Sequence, residues 1–172
     1  MRATSILIVV FVAFFVNCKE DVDCTVPTSW DVNMDRVAVE QATIDQYLLD
    51  SAITTESHPS SGIKYVIQES GAGEVADMCK LVTKQYEITF LDGTPLISTL
   101  GSSFAERTAL SNDIPAWQAG IPLVQDGGLI TLYVPSPYAY GSSGRIFNVD
   151  GVNVTVPPNT ILIFKISVIK VE

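Results

Sequence analysis

The chain predicts an α+β fold in which an antiparallel sheet packs on one short helix, with a longer helix ahead of it. Three observations carry this reading. Apolar residues alternate with period two from Lys64 onward, and helical spacing is confined to Asp35–Ser51 and to a turn or two after Pro115. Glycine-rich reversals at Asp92-Gly93 and Asp126-Gly127-Gly128 separate the strand-like runs.

The first segment is expected to be removed. Met1-Arg2 precedes an apolar run from Ile6 to Val16, shorter than the roughly 20 residues of a spanning helix but matched to the core of a secretory signal. The run ends at Cys18, and Phe15-Val16-Asn17-Cys18 resembles a bacterial lipoprotein signal in which the cysteine is lipidated, with Asn17 in place of the usual small residue. Lys19-Glu20-Asp21 resembles the acidic signal by which some Gram-negative groups export lipoproteins to the cell surface. The expected destination is therefore the bacterial envelope, as an outer-membrane lipoprotein held by acyl chains and facing the periplasm or the exterior. Losing residues 1–17 removes Arg2 and no acid, so the formal charge goes from -9 to -9 - 1 = -10. Such acidity argues against nucleic acid as a partner.

Residues 18–33 are polar and acidic, with Pro27 and Trp30, and read as a tether. From Asp35 to Ser51, Val37, Ile44, Tyr47 and Leu48 share one helical face, with Asp35 as the expected N-cap. Residues 34–61 thus form a helical extension and a loop, the loop being the Ser-, Thr- and Pro-rich stretch Thr54–Gly62. Strands are expected over Lys64–Glu69 and Leu81–Leu91, joined through a Gly71-Ala72-Gly73 turn. The second places Val82, Tyr86, Ile88 and Phe90 on one face, interrupted by Lys84, as an end or bulge would allow. Pro115 opens the short helix Ala116–Ile121 at a position that suits a first helical residue. Leu129–Val134 and Ile161–Val171 complete the strands, the latter with Leu162, Phe164, Ile166 and Val168 on one face. Gly, Asn and Asp between Ser142 and Val156 suggest a hairpin or flap whose Ile146 and Phe147 cover a pocket.

Composition narrows the chemistry. At 47% hydrophobic the chain has ample material for its own core. Beyond Cys18, only Cys24 and Cys79 remain, and the sequence leaves open whether they pair. A lone His58 and no CxxC motif supply too few ligands for zinc and no base for a catalytic triad, so no metal or cofactor is expected. Asn153-Val154-Thr155 matches a glycosylation sequon, best explained by chance in a bacterial chain.

Four ordered motifs remain. They are Tyr86 with Asp92-Gly93 six residues on, Ile114-Pro115-Ala116-Trp117-Gln118-Ala119-Gly120, Asp126-Gly127-Gly128 leading to Tyr138-Ala139-Tyr140-Gly141, and Pro157-Pro158-Asn159-Thr160-Ile161-Leu162-Ile163-Phe164. Together they resemble FKBP-type peptidyl-prolyl cis-trans isomerases from about residue 62 to 172. The resemblance implies a bent antiparallel sheet wrapped around a short helix. It also implies a proline pocket with Trp117 as floor and Tyr86, Ile114, Val156 and Phe164 as walls. Tyr140 would bring its hydroxyl to the rim, and the Ile114 N–H would meet the substrate carbonyl. The helix over Asp35–Ser51 resembles the N-terminal extension of some envelope members.

Leu96-Ile97 stand where the family commonly carries Phe-Asp, so that wall becomes aliphatic and the Tyr86 hydroxyl must find another partner or meet water. Asp113 adds a charge beside Ile114. The implied activity is isomerisation of X-Pro bonds in exported proteins, with Pro-containing peptide segments as partners. The alternative is a low-turnover module gripping a Pro-containing segment of an envelope or secretion-complex partner. An enzyme of another class is disfavoured by the lack of paired bases and metal ligands.

Overall fold

The computed structural model describes residues 24–149 and 151–172. The leader and Cys18 lie outside the described residues. Helix α1 spans Met34–Asp50, and the strands are β1 (Glu56–Ser57), β2 (Lys64–Glu69), β3 (Leu81–Phe90), β4 (Pro95–Ser98), β5 (Glu106–Ala109), β6 (Leu129–Val134), β7 (Arg145–Val149), β8 (Val152–Val156) and β9 (Leu162–Val171). Helix α2, Pro115–Gly120, sits between β5 and β6.

The main sheet runs β1-β2-β6-β9-β3-β4, with β5 pairing along another stretch of β3. Every pairing is antiparallel. Strand β3 is long enough to serve two short partners, Leu81–Lys84 against β5 and Glu87–Thr89 against β4, while β9 runs along its other edge. The short strands β1, β4 and β5 were not anticipated, because runs of two to four residues carry too little alternation to register.

One face of β6 and β9 packs on α2. Leu132, Phe164 and Ile166 are fully buried there with Ala116, Ala119 and Trp117. Gly120 makes the close approach possible, since a Cβ at that position would lie 2.5 Å from Leu132 Cδ1. At the Asp92-Gly93 turn, Gly93 adopts φ +84 and the Thr94 N–H donates to Asp92 Oδ1 at 2.9 Å.

Helix α1 covers the other side of the sheet. Ile44 and Leu48 pack with Tyr133 of β6, while Val37 joins the main core. Glu40 is also buried: its carboxylate accepts the Ser136 N–H at 2.5 Å and the Ser136 hydroxyl at 2.9 Å. The helix therefore grips the turn after β6 that leads to Tyr140. The N-cap is Asn33, not Asp35: Asn33 is extended at φ -71, ψ 96, and its Oδ1 accepts the Arg36 N–H at 2.9 Å. Asp35 lies two residues further on, within the first turn, where its charge suits the helix N-terminus.

The stretch read as a tether is, from Cys24 on, laid against the domain. Cys24 and Cys79 form a disulfide. Trp30 donates its Nε1–H to Gln118 Oε1 at 2.9 Å and meets Tyr138 edge-on at 6.1 Å. An aromatic and a disulfide outweigh the polar composition that suggested a free spacer.

Candidate active site

Trp117, in the middle of α2, is 5% exposed and forms the base of a shallow cavity of about 260 Å³. Tyr86 approaches it from β3 with ring centroids 4.9 Å apart, and Phe164 of β9 meets it edge-on at 5.8 Å. Tyr140 and Phe147 complete the aromatic set, 5.6 Å apart and nearly perpendicular. Phe147 is delivered by the β7–β8 hairpin, whose strands pair Arg145 with Val156 through Val149 with Val152.

Ile114 is the N-cap of α2, with extended backbone at φ -64, ψ 153. Pro115 follows at the first helical position, so the chain turns sharply there, and Ile114 lines the cavity. Among the described residues neither the Ile114 N–H nor the Tyr140 hydroxyl is engaged by another group. Both are available as donors.

The sequence expectations distribute unevenly over this site. Tyr86, Ile114, Trp117, Tyr140 and Phe147 line the cavity together. Phe164, fully buried, and Val156, 2% exposed, belong to the core beneath it rather than to its surface. Leu96 packs against the core, and Ile97 lines an adjoining cavity of about 440 Å³ that shares Tyr86 and Phe147. Ile146 does not cover the pocket: strand alternation turns it outward to 63% exposure while Phe147 faces in.

Charge is closer to the pocket than composition suggested. Glu106, Asp113 and Arg145 line the cavity beside the aromatics. Glu106 shares the cavity lining with Tyr86, so a carboxylate stands near that phenol although Ile97 offers none. Burial foremost, then the Glu106 carboxylate, pushes the Tyr86 pKa up to about 12. Burial, reinforced by the neighbouring Tyr86, raises that of Tyr140 as well. Both phenols therefore remain neutral donors at ordinary pH. The Arg145 guanidinium lies 5.7 Å from the Phe147 ring centroid. Glu106 and Arg145 were missed because β5 and β7 are polar at the positions that face the site.

The chain matches the model of the FKBP-type peptidyl-prolyl cis-trans isomerases over residues 73–169. It belongs to that family. Its curated relatives include a probable FKBP-type peptidyl-prolyl cis-trans isomerase FkpA of Neisseria meningitidis, 31% identical over 112 residues, a match covering 65% of this chain and 39% of the relative. The outer membrane protein MIP of Legionella longbeachae is 32% identical over 112 residues, covering 65% of this chain and 45% of that protein. Among solved structures, FkpA from Escherichia coli superposes with a TM-score of 0.63 at 26% identity, covering 81% of this chain and 62% of the other. The chain spans less than half the length of the two curated relatives. For this FKBP-type domain the α+β architecture, with its sheet around α2 and its N-terminal helix α1, agrees with the family fold. Among the described residues no helix is long and apolar enough to cross a membrane.

Proposed function

We propose that this chain is a peptidyl-prolyl cis-trans isomerase acting on Pro-containing segments of exported proteins in the bacterial envelope. The observation that carries the reading is the Tyr86–Trp117 aromatic base beside an Ile114 N–H that no other described residue uses. A proline ring set on Trp117 brings its preceding carbonyl towards the Ile114 N–H and the Tyr140 hydroxyl.

Rotation about the X-Pro bond is opposed by amide resonance, and no nucleophile is needed to lower that barrier. Water stabilises the large dipole of the planar amide more than the reduced dipole of the twisted one. Aromatic surfaces in place of water therefore raise the planar state relative to the twisted state. The two donors hold the carbonyl while the bond turns. Every 1.36 kcal/mol of such differential stabilisation is worth about tenfold in rate.

The test is acceleration of cis-trans exchange in a Pro-containing tetrapeptide. Trp117→Ala, which removes the base, and Tyr140→Phe, which removes one donor, are each expected to reduce it by at least about tenfold. A second reading, a binding module for an envelope partner with little turnover, is favoured by Leu96, which lies against the core and leaves that wall without an aromatic. Peptide binding by the wild-type chain with no gain in exchange rate selects it.

We further propose a lipid anchor on Cys18, supported by the Phe15-Val16-Asn17-Cys18 pattern and in keeping with an outer membrane protein among the relatives. Cys18→Ala is expected to move the protein from the membrane fraction to the soluble fraction. Unchanged membrane association rejects the anchor.

A further inference from the structure

Lys84 breaks the apolar face of β3, beside the bulge between Thr83 and Lys84, yet it is 0% exposed and lies in mid-strand. Its Nζ donates to both carboxylate oxygens of Asp113, at 2.9 and 3.1 Å, and to Thr108 Oγ1 at 2.6 Å. The Thr108 hydroxyl donates in turn to Asp113 Oδ1 at 3.0 Å. The same Nζ stands 5.0 Å from the centroid of the Trp117 ring.

We infer that Lys84 is a positioning residue for the proline pocket, its buried ion pair with Asp113 fixing the Ile114 N–H and the Trp117 ring relative to Tyr86. For its rate readout this rests on the isomerase reading above. Each member of the triad neighbours a pocket group. Lys84 shares a strand face with Tyr86 two residues on, Thr108 shares one with Glu106, and Asp113 immediately precedes Ile114.

Asp113 is held at its main chain as well. Its carbonyl accepts from Gln118 Nε2 at 2.9 Å, and its N–H donates to Leu110 at 3.1 Å. The peptide unit that follows carries the Ile114 N–H, and Ile114 lines the cavity. With side chain, N–H and carbonyl all fixed, Asp113 leaves Ile114 little freedom to drift. Loss of this placement matters because displacement of a binding group by about 1 Å can cost two orders of magnitude in rate.

Stability alone does not account for the pair. Exchange of a buried ion pair for apolar side chains of similar bulk is often neutral or stabilising, whereas loss of one partner strands the other charge. That asymmetry separates a positioning role from a packing role. The double variant Lys84→Met/Asp113→Leu keeps the core filled, and Lys84→Met alone leaves the Asp113 carboxylate buried without its cation. Trp30→Phe serves as the background, so that Trp117 is the sole emitter in a chain with two tryptophans.

The double variant is expected to unfold within a few degrees of its parent, with an altered Trp117 emission spectrum. Its kcat/KM for the tetrapeptide should be lower by at least about tenfold, with kcat falling more than KM rises. Parental kcat/KM and parental tetrapeptide affinity together overturn the inference. If the double variant does not fold, Lys84→Met/Asp113→Asn, which strands no charge and keeps the shape of the Asp113 side chain, takes its place with the same expected loss and the same overturning result. If the wild-type chain gives no acceleration, the isomerase reading fails. The inference is then decided by tetrapeptide affinity, expected to fall at least about threefold in the double variant and overturned if it does not.

Discussion

The Tyr86 hydroxyl is kept neutral by burial and by the Glu106 carboxylate beside it, with its pKa pushed up to about 12. A phenol whose pKa is raised in the folded state adds stability that is fully present below about pH 10 and is lost as pH rises through about 12. Glu106→Gln removes the negative charge while leaving burial in place. The Tyr86 titration midpoint should therefore fall towards 10, and the alkaline loss of stability, which still begins near pH 10, should be smaller and end at lower pH. Ultraviolet difference titration against Tyr86→Phe isolates this group, and an unchanged midpoint contradicts the assignment. Tyr140, also raised, should not titrate ahead of Tyr86. Glu106 was not legible as a site residue because it occupies a four-residue strand with Arg107 and Thr108, where inward-facing polar groups defeat the rule that apolar residues mark the buried face.

Two elements brace the pocket from behind. Helix α1 holds the Ser136 turn through Glu40, and the arm of residues 24–33 holds α2 through Trp30 and Gln118. The arm is secured by the Cys24–Cys79 disulfide across a sequence separation of 55. Closure of a loop of that length restricts the unfolded chain and is worth about 2–4 kcal/mol. Cys24→Ser/Cys79→Ser should lower the unfolding free energy by that amount in urea titrations, and a loss below about 1 kcal/mol contradicts the bracing role. The course of α1 was readable from Val37, Ile44 and Leu48, since three apolar residues at helical spacing need a surface to cover. Its docking was not, because the contact that fixes it is a buried glutamate. Likewise Trp30 gave no sign of its seat, since its partners lie 88 and 108 residues on.

At the scale of the whole molecule, the sheet and its central helix were legible because long alternating runs, Pro115 at a helix start and Gly93 at a turn each have one physical reading. The five residues that line the cavity together, Tyr86, Ile114, Trp117, Tyr140 and Phe147, come from β3, the start of α2, the turn after β6 and the β7–β8 hairpin. Their order along the chain was visible in motifs, but their distances were not. The Asp113 charge beside Ile114 was visible too; what remained hidden was its buried partner Lys84 and the place of Glu106 and Arg145 in the same lining. Sequence alone shows polar residues in strands, not which face a bulge or a short pairing gives them. The proposed isomerase role requires that this cavity turn prolyl bonds as well as hold them. Two-dimensional exchange spectroscopy on a Pro-containing tetrapeptide, with protein at substoichiometric concentration, tests it most directly. Cis-trans exchange cross-peaks are expected with the wild-type chain, and Trp117→Ala should abolish or strongly weaken them. Peptide shifts that report binding, with no exchange cross-peaks, contradict that role.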